Sequence, residues 1–196
     1  MRDATLVIIL HQLLFQGMFF AKNITLQRRL GRPVRGSNSE ASLAIGFFII
    51  FIALSLLLAQ TGSSWGRLAL LSASAALALG LLLLGVTLLV AAASLQGLGD
   101  SWRVGVLEEQ QTALVESGIY RYSRNPYFLA YLLMFAAYTV LLQSALLLGL
   151  SAIGFMLVHS MVLREEKHLA MLHPQAYREY CQRVPRYLIR QAQCTP

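Results

Sequence analysis

Long apolar runs without a charged residue alternate with short polar segments along this chain. The runs cover residues 4–21, 43–59, 68–95 and 127–163, and spanning the hydrocarbon core of a bilayer takes roughly 20 residues of helix. Only 13% of the residues are charged, against about 25% in an average soluble domain. Lipid offers no partners for backbone polar groups, so apolar runs of this length favour helices. The pattern predicts an all-α integral membrane helical bundle.

The last apolar run is too long to be one straight membrane helix. Its 37 residues would measure about 56 Å as a helix, whereas the hydrocarbon core is ~30 Å thick. The polar pair Gln143 and Ser144 lies near the middle and is the expected turn. A hairpin of residues 127–142 and 145–163 results. We therefore expect about five transmembrane helices, followed by a helical tail from residue 164.

The basic residues are distributed unevenly between the two faces that a five-helix path defines. Of the 16 Lys and Arg residues, only Arg2 and Arg67 fall on one face, which leaves 14 on the other. Lys and Arg accumulate in the cytoplasmic loops of membrane proteins. We therefore expect a multi-pass protein with a cytoplasmic C-terminus. The net charge of +7 then reflects topology, and no nucleic-acid partner is expected.

Polar and ionisable residues cluster beside the membrane helices, mainly in residues 98–103, 118–126 and 164–168. Both ends of the hairpin return to the same surface, so Arg124 and Glu166 are expected to be neighbours in space. A belt of charged side chains at the membrane interface is the simpler interpretation of the charges alone.

The tail changes that interpretation. Pro174 is expected to begin a short helix that carries Tyr177 and Tyr180, and Val184 and Pro185 end it. An ordered tail that folds back under the bundle favours a wall over a cytoplasmic cavity. Such a cavity suits a soluble cofactor that meets an amphiphilic acceptor.

Five short motifs in the C-terminal half together resemble one protein family. They are L-G-x-x-W at residues 98–102, L-V-x-x-G-I-Y-R-Y at 114–122, R-N-P at 124–126, E-E at 165–166 followed by Leu169, and Y-x-x-Y-x-x-x-V-P-R at 177–186. In order and spacing they resemble the membrane methyltransferases typified by isoprenylcysteine carboxyl methyltransferase, with phospholipid methyltransferases as relatives. The resemblance implies S-adenosylmethionine as the methyl donor, bound on the cytoplasmic side, and an acceptor reached from the bilayer.

By motif position, the resemblance assigns roles to individual residues. Glu166 would hold the donor's ammonium group, and the other cofactor-binding residues would be Val115, Gly118, Tyr120, Arg124, Asn125 and Pro126. Arg164 and Arg186 would flank the reaction site. By their own chemistry, the groups able to accept a proton are Glu165, Glu166, Tyr120 and the histidines. No metal site and no disulfide are predicted, because Cys181 and Cys194 lack ligand spacing and a cytoplasmic tail stays reduced.

Two departures from the family pattern bear on the chemistry. Many relatives have His where this chain has Asn125, so a titratable group is absent there. The family places an aromatic hydroxyl at the position of Phe128, whereas this chain has Tyr127 one place earlier. Methyl transfer from a sulfonium depends on alignment more than on acid–base help. The lack of a well-placed base favours a carboxylate or thiol acceptor, and an amine stays open.

Two other function classes share parts of this pattern. A membrane-embedded NADPH-dependent reductase of the sterol-reductase kind would have the same hairpin and tail, and a non-enzymatic membrane adaptor would need none of the tail motifs. For a methyltransferase, residues 1–196 form a single membrane domain, with a three-helix part at 1–95 and a cofactor-binding part at 96–196. The partners expected are the lipid bilayer and a lipophilic or small-molecule methyl acceptor.

Overall fold

The computed structural model describes residues 2–31, 39–62, 65–102 and 114–189. This part of the chain contains six α-helices. They are α1 (Arg2–Leu30), α2 (Ser39–Thr61), α3 (Ala73–Leu98), α4 (Pro126–Leu142), α5 (Ala145–Leu172) and α6 (Pro174–Arg183). Two short 3-10 turns, Gly99–Ser101 and Gly118–Arg121, lie after α3 and before α4. The predicted all-α fold is confirmed.

Four of the described helices, α1, α2, α3 and α5, are long and apolar enough to cross a membrane. A further apolar helix, α4, is shorter and has 17 residues. Large apolar side chains stay exposed on the outside of the bundle, for example Leu13, Leu82 and Leu89. A surface of this kind suits contact with lipid tails. The prediction of a multi-pass helical membrane protein is confirmed.

Three helix ends differ from those predicted. α1 continues past residue 21 to Leu30, and α5 continues past residue 163 to Leu172. Both extensions carry exposed charged side chains, such as Arg28 and Lys167. Apolar runs mark only the part of a helix that fits in hydrocarbon, so they underestimate helices that continue into water. α3 begins later than residue 68, because the side chain of Ser72 caps it.

The turn between α4 and α5 lies at Gln143 and Ser144, as the sequence predicts. Gln143 has a left-handed φ of 45°. The turn pairs with the connection between α2 and α3, since Leu68 N donates to Gln143 O at 2.9 Å and Ala145 N donates to Gly66 O at 2.7 Å. The two connections therefore share one end of the bundle, as a five-helix path requires.

Small residues let α3 pack closely against α4. A Cβ on Gly80 would lie 3.1 Å from the Cβ of Leu141, so the approach of the two backbones depends on this glycine. The buried face of α3 repeats every three or four residues and includes Ala76, Gly80, Leu84, Thr87, Ala91 and Ser94. α3 and α4 thereby form a fixed frame for the segment between them.

The opposite end of the bundle collects the polar segments. Arg29, near the end of α1, forms an ion pair of 3.1 Å with Asp100 after α3. Trp102 Nε1 donates to Asn23 Oδ1 at 2.7 Å. The start of α4, the end of α5 and the tail meet at this same end, which is where the candidate site lies.

Candidate active site

The segment between Gly118 and Pro126 is a compact turn that leads into α4. Gly118 has a φ of +61°, in the left-handed region that favours glycine, and it begins the 3-10 turn. Tyr120 is buried, and a Cβ on Gly97 of α3 would come within 3.2 Å of its ring. Pro126 occupies the first turn of α4, where its fixed φ suits a helix start. The turn is thus fixed between α3 and α4.

The carboxylate of Glu166 is the centre of a buried ionic cluster. Its Oε1 accepts a hydrogen bond from Asn125 Nδ2 at 2.8 Å and lies 3.3 Å from Arg124 Nη2. Its Oε2 accepts from Arg186 Nε at 3.0 Å and Nη2 at 2.8 Å. We call these four residues the Glu166 cluster. The predicted proximity of Arg124 and Glu166 is confirmed.

The Glu166 cluster contains two guanidinium groups and one carboxylate, so it carries an excess positive charge. The charged side chains are 5% to 9% exposed, and buried ions are costly unless they are paired. The hydrogen bond to Glu166 raises the pKa of the Arg186 guanidinium. The guanidinium of Arg124 lies 5.9 Å from the centroid of the Tyr177 ring, a cation–π arrangement. The excess charge suits an anionic group of a ligand.

Residues 184–189, which we call the strap, run from the end of α6 across the start of α4. Arg124 N donates to Pro185 O at 2.9 Å. Arg186 O accepts from Ser123 Oγ at 3.2 Å and from Asn125 Nδ2 at 3.3 Å. Arg186 therefore contributes its main chain to the turn and its side chain to the carboxylate.

Beyond Arg186 the strap runs beside the apolar part of α5. Tyr187 OH lies 3.2 Å from His159 Nδ1. His159 precedes Glu166 by seven residues, which places it on the same face of the helix about 10 Å further along the axis. Leu188 and Ile189 are 65% and 83% exposed. An apolar surface therefore begins directly beside the ionic cluster.

An open cavity of about 730 Å³ lies between α3, the segment before the turn, and α6. Small-molecule sites commonly measure roughly 300–1,000 Å³. Its apolar lining includes Leu114, Val115 and Val184. Its polar lining includes Glu116 and Arg183, which form an ion pair of 2.7 Å. The cavity therefore offers both apolar walls and charged groups to a ligand.

Tyr180 of α6 lies between this cavity and the Glu166 cluster. It lines the cavity, and its hydroxyl donates to Tyr120 O at 2.7 Å. Burial raises the pKa of its phenol, which also experiences the charge of Arg124 on the cluster side and the charges of Glu116 and Arg183 on the cavity side. The centroid of its ring also lies 6.3 Å from that of Tyr177, which faces Arg124, so the cavity and the cluster adjoin through these two tyrosines.

The structure brings four of the predicted site residues together, namely Arg124, Asn125, Glu166 and Arg186. Val115 lines the neighbouring cavity. Gly118, Tyr120 and Pro126 form the turn between the two.

Two further predicted site residues, Arg164 and Glu165, are not members of the Glu166 cluster. Arg164 is exposed and precedes Glu166 by two positions, which places it about 200° around the helix axis. Glu165 is half-buried. Burial raises the pKa of Tyr120, and the negative charge of Glu165 raises it further, so Glu165 lies near the turn. The roles assigned to both residues at the reaction site stay predictions.

Sequence reasoning missed two polar residues at this end of the bundle. Ser123 holds the strap carbonyl, and its Oγ also accepts from Asn125 N at 3.2 Å. Glu116 occupies an unspecified position of the L-V-x-x-G motif, where its charge was the available signal. The hydroxyl of Tyr177, also at this end, is buried without a hydrogen-bond partner among the described residues.

Cys181 of α6 is disulfide-bonded in the structure, so the prediction of no disulfide is wrong. That prediction rested on sequence spacing and on a reducing compartment, and neither describes the path of the tail in space. Cys194, the other cysteine of the chain, lies outside the described residues. Within those residues no group of three or more His, Cys, Asp and Glu side chains is placed to hold a metal ion.

Comparison with protein families gives a match over residues 75–176 to the model described as phospholipid methyltransferase. The match covers just over half of the chain, from the start of α3 into α6. Asn125 and Glu166 lie inside it, whereas Tyr180 and Arg186 lie beyond its end. A comparison with curated proteins gave no match.

Proposed function

Because the chain belongs to the phospholipid methyltransferase family, whose members use S-adenosylmethionine, we propose that the Glu166 cluster binds the amino-acid end of this donor. Membership in the family makes the chain a membrane methyltransferase. It favours this activity over a reductase or a non-enzymatic adaptor. The observation that carries the proposed site is a buried carboxylate, flanked by two guanidinium groups and an amide, that adjoins a cavity of ligand size.

The chemistry of the cluster fits a zwitterion. The amino-acid end of the donor has an ammonium and a carboxylate, and the cluster has a carboxylate and two guanidiniums. Glu166 already accepts its full set of contacts, since a carboxylate offers about four lone-pair sites. An ammonium would replace the longest of these contacts, the 3.3 Å approach of Arg124. Arg124 would then be available to the donor's carboxylate, in a charge-assisted pair.

Positioning is the main task of these residues. Bound S-adenosylmethionine supplies a methyl group activated by a sulfonium, and its transfer is an in-line displacement that depends on alignment. Asn125 and Ser123 hold the strap against the turn, and Arg186 and Glu166 close the cluster from the tail side. These contacts fix the amino-acid subsite and limit access of water to it, which strengthens its electrostatic interactions.

The acceptor that suits this site is amphiphilic. The exposed Leu188 and Ile189 follow Arg186 after one residue, so an apolar chain in the bilayer would lie beside the site. A carboxylate or thiol acceptor needs no strong base, whereas an amine would need a proton acceptor, for which Glu165 is the candidate. Arg164 is exposed beside Glu165 on the same helix and is the candidate for holding an anionic group of the acceptor. The bias of basic residues supports a cytoplasmic donor site.

Calorimetry with wild-type protein tests the ammonium subsite without any mutation. We expect S-adenosylhomocysteine to bind more tightly than an analogue that lacks the α-amino group, by ~2–5 kcal/mol or roughly 30- to 5000-fold. Glu166→Gln should remove that preference. Glu179→Gln is the matched control, because Glu179 is exposed on α6 and pairs with Gln175. Equal affinity of wild-type protein for both compounds would show that Glu166 does not receive the ammonium.

A further inference from the structure

Glu116 stands out among the residues that line the cavity. It supplies the one carboxylate of the described lining, and its side chain is 32% exposed. Its partner Arg183 is 63% exposed. Ion pairs of this kind are worth little in water, so the carboxylate can exchange Arg183 for another donor. Glu116 is therefore placed to contact a ligand in the cavity.

The surroundings of Glu116 suit a nucleoside. Leu114, Val115 and Val184 offer apolar walls of the kind that hold a flat base, and Tyr180 adds an aromatic ring. A nucleoside also carries two neighbouring ribose hydroxyls, which donate well to one carboxylate. Acidic residues bind ribose hydroxyls in this way in dinucleotide sites.

We propose that Glu116 binds the ribose hydroxyls of the methyl donor and that the apolar walls of the cavity hold its adenine. The inference rests on the proposed function, because it assumes that the amino-acid end lies at the Glu166 cluster. Tyr180 lines the cavity, and its ring packs against Tyr177, whose ring faces Arg124 of the cluster. A donor that spans the cavity and the cluster would therefore pass Tyr180, with its nucleoside on one side and its amino-acid end on the other.

The test compares S-adenosylhomocysteine with its 2′-deoxy analogue by calorimetry. Wild-type protein should prefer the diol by about 10- to 100-fold, the usual range for a hydrogen bond to a charged group. Glu116→Gln should reduce this preference to less than about threefold, because the charge is lost. Glu179→Gln should keep it, since Glu179 lies outside the cavity lining and its change leaves the Glu116 carboxylate in place.

The two proposals fail in different ways. An unchanged preference for the diol in Glu116→Gln, or no preference in wild-type protein, would overturn the ribose assignment and leave the amino-acid subsite intact. If wild-type protein did not bind S-adenosylhomocysteine, both the ribose assignment and the amino-acid subsite would be overturned. Glu116 is partly exposed and its ion pair contributes little to stability, so Glu116→Gln is expected to fold, and its thermal unfolding midpoint verifies this.

Discussion

Asn125 holds two parts of the site with one amide group. Its Nδ2 donates to Glu166 Oε1 at 2.8 Å and to Arg186 O at 3.3 Å, and all three residues are buried. An amide does not titrate near neutral pH, so its contribution is positional. The side chain joins the start of α4 to α5 and to the strap.

Replacing Asn125 separates hydrogen bonding from proton transfer. Asn125→Leu should weaken binding of S-adenosylhomocysteine by ~1–3 kcal/mol, because buried acceptors on Glu166 and Arg186 lose a donor. Asn125→His keeps a ring N–H and should stay within about tenfold of wild type. Calorimetry measures both variants. Wild-type affinity in Asn125→Leu would place this residue outside the donor site.

The sequence predicts some of these side chains and misses others for a physical reason. Arg124 and Glu166 are predicted to meet because a hairpin returns both ends to one surface, and the ion pair confirms it. The acceptors on the strap are main-chain carbonyls of Pro185 and Arg186. Every residue has a main-chain carbonyl, so a sequence pattern does not reveal which carbonyl accepts a hydrogen bond. Ser123, which donates to one of them, was missed for that reason.

Helix α5 depends on a glycine in contact with aromatic rings. A Cβ on Gly154 would lie 2.6 Å from Phe135 Cε2 and 2.9 Å from Phe47 Cε1. Phe135 is 1% exposed and its ring packs against the rings of Phe47, Phe48 and Phe51, which restricts its movement. Gly149, on the same helix, has no neighbour within 4 Å of such a Cβ.

The pair of glycines gives a matched test of this packing. Both changes to alanine gain helix propensity of up to ~1 kcal/mol. Gly154→Ala should nevertheless lower the thermal unfolding midpoint, because overpacking costs typically 1–3 kcal/mol. Gly149→Ala should keep or raise the midpoint. Equal midpoints for both variants, measured in one detergent, would contradict the close contact of α5 with Phe135.

Periodicity and run length predict the elements better than their ends. The turn at Gln143 is predicted because the apolar run of residues 127–163 is too long to cross a bilayer as one straight helix. The hairpin is predicted to end at residue 163, whereas α5 continues without a break through Glu166 to Leu172, since a membrane helix that continues into water changes composition without breaking. The position of Glu166 on a continuous helix, in register with His159, therefore required the structure.

The bundle as a whole separates two chemically different ends. One end holds the paired connections around Arg67 and Ser144, and the other holds the Glu166 cluster and the cavity. Most of the Lys and Arg residues that the structure describes lie at the end that holds the cluster, so we expect that end to face the cytoplasm.

Cysteine labelling in intact cells tests this orientation. In a chain whose native cysteines are replaced by serine, Trp65→Cys should react with an impermeant maleimide from outside. Gln175→Cys should react only after permeabilisation. Both positions are exposed, so access depends on the side of the membrane. The reverse pattern would place the site on the outer face.

The strap follows all five apolar helices in the chain, and this order has a consequence for biogenesis. Chains are synthesised from the amino end, and early parts fold first. Both donors to Glu166 Oε2 come from Arg186 on the strap. Until the ribosome has released that residue, Glu166 Oε2 lacks both of these donors in the newly inserted helices. Membrane insertion and completion of the ionic cluster are therefore separate events in time.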